Sequence, residues 1–223
     1  MKKVLFFSLV FIGAMIIAAT GMAEANLVAN PGLETGDETS WSFFSSGQAA
    51  AHSVKSPGYG GSYYGEILVS VLGTPPLYAG YYQGVNDFTP GAVQPGNLMY
   101  LSGVVKASGI TMPGAVQGQL QVEFYNSYTA NDTYRIWGSD IVTTAVNTNQ
   151  DWAYYQATGY VPSNAKMFQV LMMDTGLLAG ATGTIGYDDV YVDYAPVPEP
   201  SSMLLLGTGL VGLFGISRKK RSA

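Results

Sequence analysis

From the middle of the chain onward, apolar positions recur at every second residue. Leu120, Val122 and Phe124 alternate with Gln119, Gln121, Glu123 and Tyr125. That spacing predicts a β-strand with one dry face and one polar, aromatic face. Residues 101–105 predict another strand, and a further one falls within 136–146. The stretches 153–160, 167–173 and 184–194 complete the series. Pro57-Gly58, Pro75-Pro76, Pro90-Gly91, Pro95-Gly96, Pro113-Gly114 and Pro162-Ser163 punctuate the connections, where such residues end strands and set turns. Strands about 8–12 residues apart with this punctuation predict two packed sheets. The composition agrees, being rich in Gly, Tyr, Thr, Ser, Asn and Val, residues that favour sheets and turns over helices. Residues 26–194 therefore read as one all-β sandwich domain, with neither an internal repeat nor a linker before Ala195.

The two ends follow a different pattern. Lys2-Lys3 precedes an apolar stretch from Val4 to Ala19, and Ala23-Glu24-Ala25 places small residues where a signal peptidase reads. Residues 1–25 are expected to be a signal peptide, cleaved before Asn26. At the other end Pro198-Glu199-Pro200 lies in a spacer over 195–202. An uncharged run over 203–217 follows, and then Arg218-Lys219-Lys220-Arg221 within the last six residues, 218–223. Proline on both sides of Glu199 favours an extended spacer. As a helix the run spans roughly 21–25 Å, slightly short of a ~30 Å hydrocarbon core. The basic cluster would stay on the cytoplasmic side. Spacer, short span and basic stop, in that order, resemble the PEP-CTERM sorting tail. The resemblance implies an exported protein processed by an exosortase-type enzyme, with membrane contact through the C-terminal helix. It implies a destination in the cell envelope, cell surface or extracellular matrix of an exopolysaccharide-producing bacterium.

Setting both ends aside changes the charge. Residues 26–196 hold four basic residues, Lys55, Lys106, Arg135 and Lys166, against thirteen acidic ones, a net charge of −9 compared with −5 for the whole chain. Scattered cations on an acidic domain exclude nucleic acid as a partner, because phosphate neutralisation needs clustered Lys and Arg. There is no cysteine and one histidine, His52. Transition-metal clusters and Cys–His nucleophile pairs are thereby excluded, and an exported domain without disulfides must rely on its core or on a metal.

Asn26-Leu27-Val28-Ala29-Asn30-Pro31-Gly32-Leu33-Glu34, followed by Trp41, is similar to the opening of carbohydrate-binding jelly rolls. Trp152, Tyr160-Val161-Pro162 and the closing Tyr187-Asp188-Asp189-Val190 are similar to their ends. Leu33 stands where an aromatic is more usual. The resemblance implies a jelly-roll β-sandwich of galactose-binding-like type. It also implies a structural Ca²⁺ held by Gly32, Glu34 and Asp188, with the Gly60-Gly61-Ser62 loop beside them. Independently, the parity of Asp188 with Val190 and Val192 predicts that its carboxylate points inward while Asp189 points out. An inward carboxylate needs a cation or several hydrogen-bond donors, and both alternatives stand.

Gln119, Gln121, Glu123 and Tyr125 form a candidate glycan-binding face, with Trp137, Tyr134, Tyr81 or Tyr82 as further ring platforms. Amides and carboxylates bind sugar hydroxyls, and rings stack on sugar C–H faces. The same pattern also describes an ordinary solvent-facing strand face. Signals for catalysis are weak. Asp174-Thr175-Gly176 is a single protease-like turn, expected to open the loop from Thr175 to Gly183, where two such carboxylates would be needed. Gly207-Thr208-Gly209-Leu210-Val211-Gly212 has the letters of a dinucleotide fingerprint without the strand–helix–strand unit it requires. Glu66, Glu123 and Asp140 could serve glycoside hydrolysis, but nothing in the sequence pairs them. The expectation is a non-catalytic surface protein that binds or organises polysaccharide. A self-associating matrix protein without a glycan ligand is the first alternative and a secreted hydrolase the second.

Overall fold

A computed structural model of the chain describes residues 26–46, 50–72, 74–85 and 93–195. The signal peptide, the apolar C-terminal run and the basic tail expected from the sequence lie outside them.

Among the described residues ten strands run in chain order: β1 (Ser42–Ser45), β2 (Ala50–Lys55), β3 (Tyr64–Ser70), β4 (Leu77–Val85), β5 (Leu98–Ser108), β6 (Val116–Tyr125), β7 (Ile141–Val142), β8 (Gln150–Tyr160), β9 (Met167–Gly176) and β10 (Thr182–Ala195). They form two five-stranded sheets, with orders β1-β4-β9-β6-β7 and β2-β3-β10-β5-β8. Every pairing is antiparallel. The two sheets stack into a sandwich, and alternation of side chains decides what is buried. Leu120, Val122 and Phe124 from β6 meet Leu101, Val105, Ile185 and Tyr187 from the second sheet in a dry core. The strand expected within 136–146 is only the two-residue β7, extended along β6 by a bridge from Val146 to Gly118.

Two expectations are corrected in the core and at its edge. Asp174 does not open a loop. It lies within β9, fully buried, beside the hydroxyl of Tyr187. That hydroxyl also reaches the Met173 carbonyl at 2.9 Å. One phenol proton cannot serve both oxygens, and burial drives the Asp174 carboxyl well above the usual carboxylate range. A protonated Asp174 donating to Tyr187, which donates to Met173, satisfies both.

The second correction concerns β10. Asp188 pairs with Val104 and Tyr191 with Ser102, so β10 carries one extra residue between them. Asp189, at φ 49°, is that bulge. The bulge reverses the parity, and Asp188 does not share a face with Val190 and Val192. Val190 and Val192 enter the core. Asp188 lies on the outer side of the second sheet, where the loops around Gly32 and Gly58 cover it completely.

Candidate functional site

The outer face of the first sheet is a cleft of about 790 Å³, within the size range of small-molecule and oligosaccharide sites. Strand register builds its floor. Tyr82 on β4, Leu171 on β9, Gln121 on β6 and Val142 on β7 stand in one row across four strands. Phe44, Gly80, Met173 and Gln119 make the next row. Gly80 has no Cβ for a physical reason: one placed there would lie 2.7 Å from the Phe44 ring and 2.5 Å from the Met172 carbonyl oxygen. The bare backbone lets the Phe44 ring settle on the sheet.

The segment between β6 and β7 folds back to form one wall. It is pinned by Asn126 N–H to the Tyr134 carbonyl (2.9 Å) and by Ile136 N–H to the Phe124 carbonyl (2.8 Å). This return carries Asp132, Arg135 and Trp137 to the cleft, while Tyr78 and Phe44 stand on the opposite side. Trp137 is 64% exposed and Tyr78 40%, so a ring is presented on each side of a polar floor.

The polar face of β6 is a hydrogen-bonded ladder. The Gln119 amide donates to Gln121 Oε1 at 3.2 Å, and the Gln121 amide donates to Glu123 Oε1 at 3.0 Å. The Tyr125 hydroxyl donates to Glu123 Oε2 at 2.6 Å and lies 3.1 Å from Gln169 Oε1. Arg135 closes the ladder, with Nη1 2.8 Å from Glu123 Oε1 and Nη2 2.6 Å from Asp140 Oδ2. Its guanidinium also lies 4.2 Å from the centre of the Trp137 ring, a cation–π contact that orients the indole. Burial pushes the Glu123 carboxyl above its ordinary range, and the Tyr125 bond and Arg135 charge pull it back. Burial also raises Tyr125, and its bond to Glu123 adds to the rise. Arg135 Nε is buried with no partner among the described residues, a donor that only an enclosed water could satisfy.

All five residues expected at a glycan face, Gln119, Gln121, Glu123, Tyr125 and Trp137, line this one cleft. Gln121, Glu123 and Tyr125 are buried, so they are the floor of a recess and not an open solvent face. Tyr82 joins them, but Tyr81 turns into the core and Tyr134 stays outside. Arg135, Gln169 and Tyr78 were not singled out from the sequence. For Gln169 a signal exists, since Phe168, Val170 and Met172 alternate with Gln169, Leu171 and Met173. Nothing local marks Arg135, because its partners come from different segments. It also pairs Glu123 with Asp140, which the sequence could not; Glu66 stands on β3 in the other sheet.

A second constellation lies on the far sheet. Asn30 ties the first loop together, donating from Nδ2 to Thr35 Oγ1 and to the Thr39 carbonyl, both at 2.9 Å. Trp41 Nε1 donates to the Asn30 carbonyl at 2.9 Å. The loop brings Gly32 and Glu34 against Asp188. A Cβ at Gly32 would stand 2.6 Å from Asp188 Oδ1 and 3.2 Å from Glu34 Oε1. Tyr59 N–H donates to Asp188 Oδ2 (2.7 Å) and Asp189 N–H to Oδ1 (2.8 Å). Ser62 and Tyr63 N–H donate to Glu34 at 2.8 and 3.3 Å. Burial pushes the Asp188 carboxyl up to about 6, with these N–H bonds working against the rise. Lys106 stands nearby, but its ammonium is spent over the rings of Tyr64 and Trp152, at 3.7 and 4.7 Å. Two carboxylates without an ion-pair partner among the described residues, converging on a bare glycine, suit a divalent cation. No group of three or more Asp, Glu, His or Cys in metal-binding arrangement occurs among the described residues, so backbone carbonyls would have to complete the shell.

The architecture is the jelly-roll sandwich of carbohydrate-binding modules. The chain superposes on the TmCBM61 module solved with β-1,4-galactotriose at a TM-score of 0.50 and 15% identity, over 77% of this chain and 100% of that one. It matches the Clostridium thermocellum xylanase 10B CBM22-1–GH10 modules, solved with xylohexaose, at 0.50 and 15%, over 76% of this chain and 28% of that one. The enzymatically active domain of tailspike protein 4 from bacteriophage CBA120 matches at 0.56 and 14%, over 76% of this chain and 21% of that one. At such identity the likeness is one of fold. No curated protein matches the sequence at a significant level. Residues 196–219 match the PEP-CTERM protein-sorting motif, the mark of an exported protein sorted through an exosortase.

Proposed function

We propose that this exported protein is a non-catalytic, surface-associated or matrix polysaccharide binder that holds a glycan chain in the cleft of its first sheet. The observation that carries the reading is the Gln119–Gln121–Glu123–Tyr125 ladder, recessed between two exposed rings and braced by Arg135. Amide hydrogens and oxygens left over from the ladder meet sugar hydroxyls, and Trp137 and Tyr78 stack on sugar faces. Arg135 spends both terminal nitrogens on Glu123 and Asp140, and Asp132 adds a further negative charge at the wall. The cleft therefore suits an uncharged glycan better than a uronate. Glu123 accepts three hydrogen bonds within the protein and acts as a structural brace, not as a free acid or base. Glu34, Asp188 and the Gly32 carbonyl are proposed to hold Ca²⁺, fastening the first loop to β10.

Titration calorimetry against neutral and uronate-containing polysaccharides tests the reading. Binding of a neutral glycan that Trp137→Ala weakens about tenfold or more, with unchanged thermal stability, is expected. Turnover of the glycan, or affinity indifferent to Trp137→Ala, would remove this cleft from the account.

A further inference from the structure

We propose that β8 is a self-pairing edge, through which two copies of this chain join antiparallel and extend the second sheet across a two-fold axis. Among the described residues, four strands lie at sheet edges: β1, β2, β7 and β8. Three of them are blunted. β1 has four residues and β7 two, while β2 has six and runs into Lys55, Ser56 and Pro57. Short edges, lysine and proline are the devices that keep edges from pairing. β8 has none of them. It runs for eleven residues, and from Trp152 to Tyr160 it carries neither a charge nor a proline.

A bulge disturbs β8 only at its start, where Gln150 and Ala153 face Ala107 and Val105 on β5. From Ala153 to Tyr160 the register is regular. Among the described residues, no backbone hydrogen bond reaches β8 except from β5. An unpaired ladder of this length is a template for another strand.

Charge and symmetry identify a second copy as the occupant. The domain is strongly acidic, so two copies approach most easily along an uncharged border, and among the described residues β8 is the one long edge that offers it. An antiparallel pair of identical strands has its own two-fold axis, the geometry of a closed dimer. Centred on Gln156, the pairing sets Tyr154 opposite Thr158 of the partner subunit on the outer face, and Trp152 opposite Tyr160 of the partner subunit. Tyr154 and Tyr160 are 63% and 69% exposed in the single chain. Pairing would cover rings that otherwise face water, and aromatic cross-strand pairs add to sheet stability.

The chain has no cysteine, which makes the register directly readable. Directly opposed strand residues lie about 4.5–5.5 Å apart, within disulfide reach. The full chain in mild detergent is expected to sediment as a concentration-dependent dimer. Gln156→Lys should raise the dissociation constant at least tenfold while leaving the melting temperature of the dilute, monomeric chain unchanged. The Gln156→Cys variant should form covalent dimers at least ten times faster than Leu72→Cys, whose site is 71% exposed in the loop after β3. A chain that stays monomeric would overturn the proposal. So would a dimer indifferent to Gln156→Lys, such as one held by the apolar tail, or cross-linking at position 156 no faster than at position 72.

Discussion

Replacing Arg135 with Met tests whether the cleft floor is held by charge. The side chain is 14% exposed, and its partners Glu123 and Asp140 are 7% and 17% exposed. Met keeps most of the apolar stem, so little packing is lost, but two shielded carboxylates are left without their cation. Removing one partner of a buried pair costs about 3–5 kcal/mol. Asp140 can turn towards water, which places the expected loss near the lower end, about 3 kcal/mol at pH 7. In a domain of this size that lowers the melting temperature by roughly 6–12 °C. The loss must also depend on pH. Burial already raises the Glu123 carboxyl, and without Arg135 it rises further. A carboxyl raised in the folded state contributes its stability fully below its unfolded range and loses it as pH climbs through the folded value. The deficit of Arg135→Met should therefore be greatest at neutral pH and shrink as pH falls towards about 5. Urea denaturation of parent, Arg135→Met, Glu123→Gln and the double variant at pH 5 and 7.5 supplies the test. The double variant should recover part of the loss, since Gln removes one of the two unpaired charges and leaves only that of Asp140. A deficit below about 1 kcal/mol, or one equal at both pH values, would refute a floor braced by an ion pair.

In the core, Tyr187→Phe strands both Asp174 and the Met173 carbonyl, and should cost about 2–3 kcal/mol in denaturant unfolding. Asp174→Asn keeps an uncharged group in place. It should cost less than about 1 kcal/mol and flatten the decline in stability that the parent shows as pH rises from acid to neutral; an unchanged pH profile would mean that Asp174 is ionised in the folded state. At the loop site, Ca²⁺ should raise the melting temperature of the parent by mass action, and Asp188→Ala should abolish the shift. A shift that survives in the variant would place any bound Ca²⁺ elsewhere.

How much of this was legible follows from where each signal resides. β6 and β9 were visible because their alternation is uninterrupted over many residues, and β8 and β10 because each stays rich in Tyr and other sheet-favouring residues despite its bulge. β4 was not, because Gly80 and Gly84 interrupt its pattern and Tyr81 and Tyr82 face opposite ways. β1 and β2 are short and stand among Gly, Ser and Pro, so they take their form from pairing with β4 and β3. The cleft residues on β6 could be read from one strand. Their burial could not, since it comes from the returning 126–140 segment and from strands distant in sequence. Asp188 shows the converse: its burial was anticipated, but by a parity that the Asp189 bulge reverses. A bulge is one extra residue, and a single sequence gives no register against which to count it.

β10 has a mechanical consequence. It is the central strand of its sheet, paired with β5 at ten positions ending at Ala195 and with β3 over residues 182–187. Asn26 grips it as well, through Nδ2 to the Val190 carbonyl (2.9 Å) and through Oδ1 from the Val192 N–H (3.0 Å). The sorting motif begins one residue beyond the strand. Tension on the tail therefore pulls β10 along its own axis, loading its hydrogen bonds together in shear and not peeling them one by one. A chain tethered through this tail would be held by the central strand of its sheet, so load on the domain would be borne by the whole sheet. Single-molecule pulling from the C-terminus should give a higher rupture force than pulling from the loop after β1, and equal forces would contradict this load path.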